Sequence, residues 1–266
     1  MSAVDDVLQK LKKQGKRAFM PFVTAGDPDL GFTKQIIKEL AARGATMCEV
    51  GIPYSDPIAD GPVIQASYTR ALDNNVKLAG IFDMVREVTS ETSMPLVSMV
   101  SYAIVFRHGL EKYVQDAKSA GFSGAIVPDL LIDEAEKFAA ICQKHDFNLI
   151  QLVTPTTPRD RAVRIANSST GFLYYVSITG ITGERTELPA EVVDQVAWLR
   201  EQTDLPICVG FGISKPEHVR TLMPVADGMI VGSAIVKRMA AAAENDAATV
   251  TSDVGDFVAE LMSALE

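Results

Sequence analysis

Eight short apolar runs, each followed by a stretch of helical spacing, constrain this chain more than any other feature of its sequence. The runs are Arg17 to Thr24, Met47 to Ile52, Pro95 to Val100, Gly124 to Val127, Asn148 to Val153, Gly171 to Val176, Pro206 to Gly210 and Gly228 to Val231. They are apolar at successive positions rather than at alternate ones, so each reads as a strand buried on both faces. Such strands belong to a parallel sheet covered by helices. Eight repeats of the unit predict a closed α/β barrel, a (βα)8 or TIM barrel, and 266 residues suit one barrel domain spanning 1–266. An open doubly wound sheet is the alternative, but no Gly-x-Gly-x-x-Gly opens the first unit. Extra helices are expected at the N-terminus, where Val4, Val7, Leu8 and Leu11 share a face, and after the second strand, over Pro62 to Asn74 and Leu78 to Thr89. The small, polar stretch Ala240 to Asp253 reads as a mobile connection to a last helix, Val254 to Leu265.

The net charge of −9 argues against nucleic acid or an anionic membrane as the main partner, since both need a basic face. Three separated cysteines, Cys48, Cys142 and Cys208, form no CxxC and read as buried free thiols in a reducing compartment. There is no signal-peptide core and no apolar run long enough to span a bilayer, so the expected location is cytoplasmic.

The second unit carries the most unusual chemistry. Glu49 lies inside an apolar strand, and Asp60 follows in a loop punctuated by Pro53, Pro57, Gly61 and Pro62. A charged carboxylate in an apolar strand costs several kcal/mol, roughly, if it stays unpaired. Glu49 therefore either finds a partner, with Arg43 as one choice, or has its pKa raised, which suits proton transfer near neutrality. Asp60, beyond the strand in a polar loop, is expected to stay ionised. Active sites of barrels lie at the C-terminal ends of the strands. There the seventh strand runs into Gly210-Phe211-Gly212-Ile213-Ser214 and the eighth into Gly232-Ser233-Ala234. Both are glycine-containing turns into helices, where free N–H groups favour a phosphate. The long polar loop Ser177 to Arg185 suits a segment that closes over substrate. No strand holds a lysine, which argues against a Schiff-base aldolase. His108, His145 and His218 have no ligand spacing, and no metal is expected. Two carboxylates beside a phosphate site point to general acid–base chemistry on a sugar-phosphate-like substrate.

The segment Glu49-Val50-Gly51-Ile52-Pro53-Tyr54-Ser55-Asp56-Pro57-Ile58-Ala59-Asp60-Gly61-Pro62 closely resembles the signature of the tryptophan synthase alpha subunit family. Pro21-Phe22-Val23-Thr24-Ala25-Gly26-Asp27-Pro28, Gly180-Ile181-Thr182-Gly183, Gly210-Phe211-Gly212-Ile213-Ser214 and Gly232-Ser233-Ala234-Ile235-Val236-Lys237 extend the resemblance along the chain, in order. It implies cleavage of indole-3-glycerol phosphate to indole and glyceraldehyde 3-phosphate. It also implies a beta-subunit partner in a heterotetramer of two alpha and two beta subunits. The pyridoxal phosphate cofactor would belong to that partner, and none is expected here. Glu49 resembles the residue that protonates indole C3 and then takes a proton from the adjacent glycerol hydroxyl. Asp60 resembles the group that accepts a hydrogen bond from the indole N–H. Phe22, Tyr102, Val127, Tyr174 and Phe211 match the substrate pocket, and Thr182 a position closing towards Asp60. Gly183, Gly212, Ile213, Gly232 and Ser233 match the phosphate site. Tyr54, Asp56, Pro57 and Ile58 are the expected partner contacts.

One segment departs from the family pattern: an Asn common shortly after the third strand is lacking in Ser101-Tyr102-Ala103-Ile104-Val105-Phe106. Two other readings stay open on sequence: a lyase of the same fold that works without a partner, and a non-catalytic phosphate-binding subunit that activates one.

Overall fold

The chain forms the expected (βα)8 barrel in a computed structural model that describes residues 2–57, 60–176, 190–210 and 212–265. The strands are β1 (Ala18–Thr24), β2 (Cys48–Gly51), β3 (Leu96–Met99), β4 (Phe122–Ile126), β5 (Asn148–Ile150), β6 (Leu152–Val153), β7 (Leu173–Val176), β8 (Ile207–Gly210) and β9 (Gly228–Val231). All pairings are parallel, and β1 lies between β2 and β9. The expected fifth strand is split at Gln151, so β5 pairs with β4 while β6 pairs with β7. Gln151 still accepts a hydrogen bond from the Tyr174 N–H at 3.1 Å, which carries the ring across the break. Nine short segments therefore act as eight staves.

Strand alternation builds two cores. Met20, Met47, Val97, Ile126, Ile150, Phe172, Tyr174, Cys208 and Ile230 pack inside the barrel. Cys48, Val50, Leu96, Ala125, Leu149, Val209 and Met229 face outward into the layer of helices. The first helix, α1 (Ala3–Lys13), closes the barrel floor by adding Val4 and Leu8 to the inner core. Its cap, Ser2, forms a box with Asp5 and donates to the Asn148 side chain, which in turn donates to Asp5 at 3.2 Å. The next helices are α2 (Leu30–Ala42), α3 (Pro62–Asp73) and α4 (Leu78–Glu91). The two between β2 and β3 are those expected.

Two stretches differ from expectation. The segment after β3 is a helix, α5 (Tyr102–His108), because Ser101 caps it and Asp129 accepts from both the Ser101 hydroxyl and the Tyr102 N–H, each at 2.7 Å. The helices α6 (Leu110–Ala120), α7 (Ile132–Lys144), α8 (Arg159–Ser168), α9 (Ala190–Arg200), α10 (Pro216–Leu222) and α11 (Ser233–Met239) follow in the expected places. The supposed connection after α11 is instead a short 3-10 turn, Ala240–Ala243, and the start of α12 (Ala247–Ser263). Asp246 caps α12 by accepting from the Thr249 N–H at 3.0 Å, and Val250 is buried, so the helix begins well before Val254. None of the described helices is long and apolar enough to cross a membrane.

Candidate active site

Parity along β2 decides where Glu49 points. Cys48 and Val50 face the helices, so Glu49 and Gly51 face the barrel interior, with Glu49 in register with Phe22 on one side and Val97 on the other. Glu49 is 0% exposed, and among the described residues neither carboxyl oxygen has a hydrogen-bond partner. The Arg43 alternative fails: that guanidinium is engaged by Glu39 at 2.7 Å and Asp256 at 2.8 Å on the barrel's outside. Burial pushes the Glu49 carboxyl well above the ordinary glutamate range.

Asp60 stands at the other end of the same segment, just before α3. Its N–H donates to the Pro57 carbonyl at 3.0 Å, and its own carbonyl accepts from Gln65 Nε2 at 2.7 Å, which makes a tight turn. Pro62 at the first turn starts α3 where a missing N–H costs nothing. The helix is then pinned along its length to the end of β1 and the loop beyond. Thr24 and Ser67 share a hydroxyl contact at 2.7 Å, Arg70 grips Asp27 through two bonds of 2.8 and 2.7 Å, and Asn74 donates to the Pro28 carbonyl at 2.6 Å. Asp60 is half-buried rather than set in a polar loop. Loss of water pushes its carboxyl up to about 6, against a hydrogen bond from the Tyr54 hydroxyl that favours the anion. It is still mainly ionised at neutral pH, though less completely than a loop carboxylate would be.

A cavity of about 340 Å³ opens at the C-terminal end of the strands, lined by Asp60, Phe22, Tyr174, Gly212, Ile213, Gly232 and Ser233 of the expected residues. Such a volume suits a small-molecule site. Glu49 does not line the cavity, but its register partner Phe22 does. Gly212 has φ +42°, a conformation that glycine adopts freely, and among the described residues nothing beyond its chain neighbours lies within 4 Å of the place where its Cβ would be. Among the described residues no side chain caps α11 at Gly232, and Gly232, Ser233 and Ala234 all line the cavity.

Two contributors were missed from sequence. Lys237 lies one helical turn after Ser233 and also lines the cavity, bringing a positive charge to the backbone donors. His218 Nδ1 accepts the Ser214 N–H at 3.2 Å and so fixes the loop after β8. The i, i+4 spacing from Ser233 was the available signal for Lys237; nothing in the sequence marked His218. Two expected pocket residues are placed elsewhere. Val127 packs among the outer helices, because Ile126 before it points inward. Tyr102 lies on α5 against the outer core, 6.1 Å from the Phe106 ring. Thr182, Gly183, Phe211 and Ile58, and the loop expected to close over substrate, lie outside the described residues. Among the described residues no group of His, Cys, Asp or Glu is placed to hold a metal ion.

The rim of the mouth carries exposed apolar groups. Phe106 on α5 is 66% exposed and Leu131, after β4, is 60% exposed. Of the expected partner contacts Asp56 is exposed, but Pro57 is buried and so offers no surface. Tyr54 is turned inward, with its ring 5.5 Å from that of Tyr68 and its hydroxyl on Asp60.

Comparison with known proteins finds relatives along the whole chain. The family model for tryptophan synthase alpha chain matches residues 8–264. A tryptophan synthase alpha chain from Rhodopirellula baltica is 54% identical over 276 residues, covering 100% of this chain and 99% of its own. The crystal structure of tryptophan synthase subunit alpha from Legionella pneumophila superposes with a TM-score of 0.91 at 33% identity, covering 100% of this chain and 98% of its own. A chain of the tryptophan synthase complex from Pyrococcus furiosus gives 0.85 at 36% identity, with 93% and 99% covered. With a family model that fits residues 8–264 and a relative 54% identical over the full length of this chain, the chain belongs to the tryptophan synthase alpha chain family.

Proposed function

We propose that the cavity at the barrel mouth is where this lyase cleaves indole-3-glycerol phosphate, with Glu49 moving the protons and Asp60 stabilising the charge on the indole ring. The observation that carries the reading is the pairing of an unpartnered, fully buried Glu49 with a half-buried, hydrogen-bonded Asp60 at one end of the barrel. Burial raises the Glu49 pKa and so favours its protonated form, which lets it start as the acid. It gives its proton to indole C3, and the ring nitrogen becomes cationic. Asp60 accepts the indole N–H and offsets that charge. The bond between C3 and the glycerol carbon then breaks, its electron pair returning to the ring. The hydroxyl on that carbon gives its proton to the Glu49 carboxylate and becomes the aldehyde, which restores the starting acid. The phosphate is held by backbone N–H groups at Gly212, Gly232 and Ser233, with Lys237 alongside. No cofactor enters these steps; pyridoxal phosphate is assigned to the beta subunit, and the buried free thiols Cys48, Cys142 and Cys208 suit a cytoplasmic enzyme.

Indole released from indole-3-glycerol phosphate by the purified chain is the direct test; its absence with and without a beta subunit would remove the reading. Gly212→Val is expected to raise KM with little change in kcat, because the added side chain enters the space that the phosphate needs and a β-branched residue at φ +42° distorts the loop that offers the N–H groups. An unchanged KM would count against the phosphate site.

Phe106 and Leu131, together with the exposed Asp56, form the surface that takes the beta subunit. Their exposure supports it, as does the likeness to a chain of a solved tryptophan synthase complex. The isolated chain should be slow, and a beta subunit should accelerate it by shifting the populations of the mouth loops. Phe106→Ser with Leu131→Ser should abolish the acceleration and leave the basal rate in place. Full activity in the chain alone would instead favour a lyase that needs no partner.

A further inference from the structure

Tyr68 is 1% exposed, and among the described residues its hydroxyl has no hydrogen-bond partner. An unpaired phenol hydroxyl in a core is a net cost to folding, so its place calls for an explanation. Tyr68 sits on α3, and side chains on a helix lean back towards its N-terminus, here towards Asp60. Its ring packs with Phe22, Ile64 and Tyr54 in the small cluster beneath the cavity. The room for its hydroxyl comes from Gly51: a Cβ there would lie 2.9 Å from the Tyr68 oxygen and 2.5 Å from the Phe22 ring. The hydroxyl thus lies beside the inward face of β2, between the strand that carries Glu49 and the turn that carries Asp60.

Asp60 has one phenol donor already, from Tyr54. Its half-buried carboxylate is otherwise open to solvent in part. An indole ring seated against it excludes that solvent, and the charge then needs a donor from the protein. We propose that Tyr68 is a positioning residue: when substrate fills the cavity, its buried hydroxyl donates to the Asp60 carboxylate alongside Tyr54, holding it ionised and aimed at the indole N–H. This rests on the reading of Asp60 given above. The other charged or titratable groups around the pair are Glu49 on β2, Tyr174 on β7, Lys237 on α11, and Asp129 after β4, which lies near Tyr54. At the far end of α3 Asp27 and Arg70 satisfy each other.

Tyr68→Phe removes the hydroxyl and keeps the ring. The pH dependence of kcat reports groups in the substrate complex, and that of kcat/KM reports the free enzyme. Tyr68→Phe should move the acid limb of kcat upward by about one pH unit, the effect of losing one donor to a carboxylate. The plateau and the acid limb of kcat/KM should stay in place. Thermal stability should hold or rise, because a buried hydroxyl without a partner has been removed. A kcat profile that superimposes on the parent's overturns the inference, and so does a loss of rate that is uniform in pH and accompanied by a lower Tm. Asp60→Asn run alongside separates the two levels. If it is slow while the Tyr68→Phe profile matches the parent, only the role of Tyr68 is lost. If it turns over like the parent, the catalytic reading of Asp60 is overturned, and the role of Tyr68 with it.

Discussion

Glu49→Gln is expected to lower the rate of indole release by at least about two to four orders of magnitude, the usual effect of losing a general acid–base group. The amide keeps the size of the side chain but can neither give a proton to indole C3 nor take one from the hydroxyl. Phosphate binding should survive, because Gly212, Gly232 and Ser233 line the cavity and Glu49 does not. Single-turnover indole release, measured beside the binding of a non-cleavable phosphate analogue, checks both halves. A variant that binds the analogue and cleaves within about tenfold of the parent would falsify the mechanism.

The same substitution has a second consequence, with its sign set by linkage. The folded-state pKa of Glu49 is raised above its unfolded value of about 4.3. Its contribution to stability is therefore fully present below that unfolded value and is lost as pH rises towards the folded pKa. Glutamine does not titrate, so the stability of Glu49→Gln relative to the parent should grow as pH rises from 4 through neutrality. Activity also has two limbs. Asp60 must be ionised, so kcat/KM should fall below pH about 6, and Glu49 must be protonated, so it should fall again on the alkaline side. Denaturant midpoints across the pH range and a kcat/KM profile test the pair; a stability difference that is flat with pH would mean that Glu49 is not held protonated.

The staves and most helices were legible because the physics that makes them is local: strands buried on both faces show unbroken apolar runs, and the covering helices show a 3.6-residue period. What escaped depended on contacts distant in sequence. The seven residues of α5 are too short and too uniformly apolar to show a period, and its cap depends on Asp129 from the next unit. Glu49 was recognisable as a carboxylate out of place, but whether Arg43 would satisfy it turned on Glu39 and Asp256, which claim that arginine from the same helix and from α12. Val127 was assigned to the pocket, and one residue of strand parity sends it to the other face. Tyr54 read as a loop residue available to a partner. Its ring instead covers Tyr68, and its hydroxyl serves Asp60. Phe106 and Leu131 gave no sign of exposure, since an apolar residue near a strand end reads first as core.

Removing Arg70 should be costly well away from the chemistry. Asp27 is 1% exposed, and both its oxygens are held by the Arg70 fork at 2.8 and 2.7 Å. Arg70→Ala leaves a buried carboxylate with neither donor. Breaking a buried pair from one side typically costs about 3–5 kcal/mol. The Arg70 side chain is 36% exposed, so water can reach part of the vacated space, and a loss of about 2–3 kcal/mol is the better expectation. Arg70→Lys should fall between, because an ammonium cannot match both oxygens at once. The double variant Asp27→Asn with Arg70→Ala should recover part of the loss, since no unpaired charge remains buried. Denaturant unfolding at constant m-value gives all four stabilities. The pair also fastens α3, the helix that starts beside Asp60 and carries Tyr68, to the loop after β1. Loosening it should therefore lower kcat even below the unfolding transition and raise KM with it, because α3 packs against α11, the helix that starts at the phosphate loop. A stability loss under about 1 kcal/mol, the value of an exposed pair, would show that Asp27 is solvated in the variant and that the fork is not what holds α3 in place.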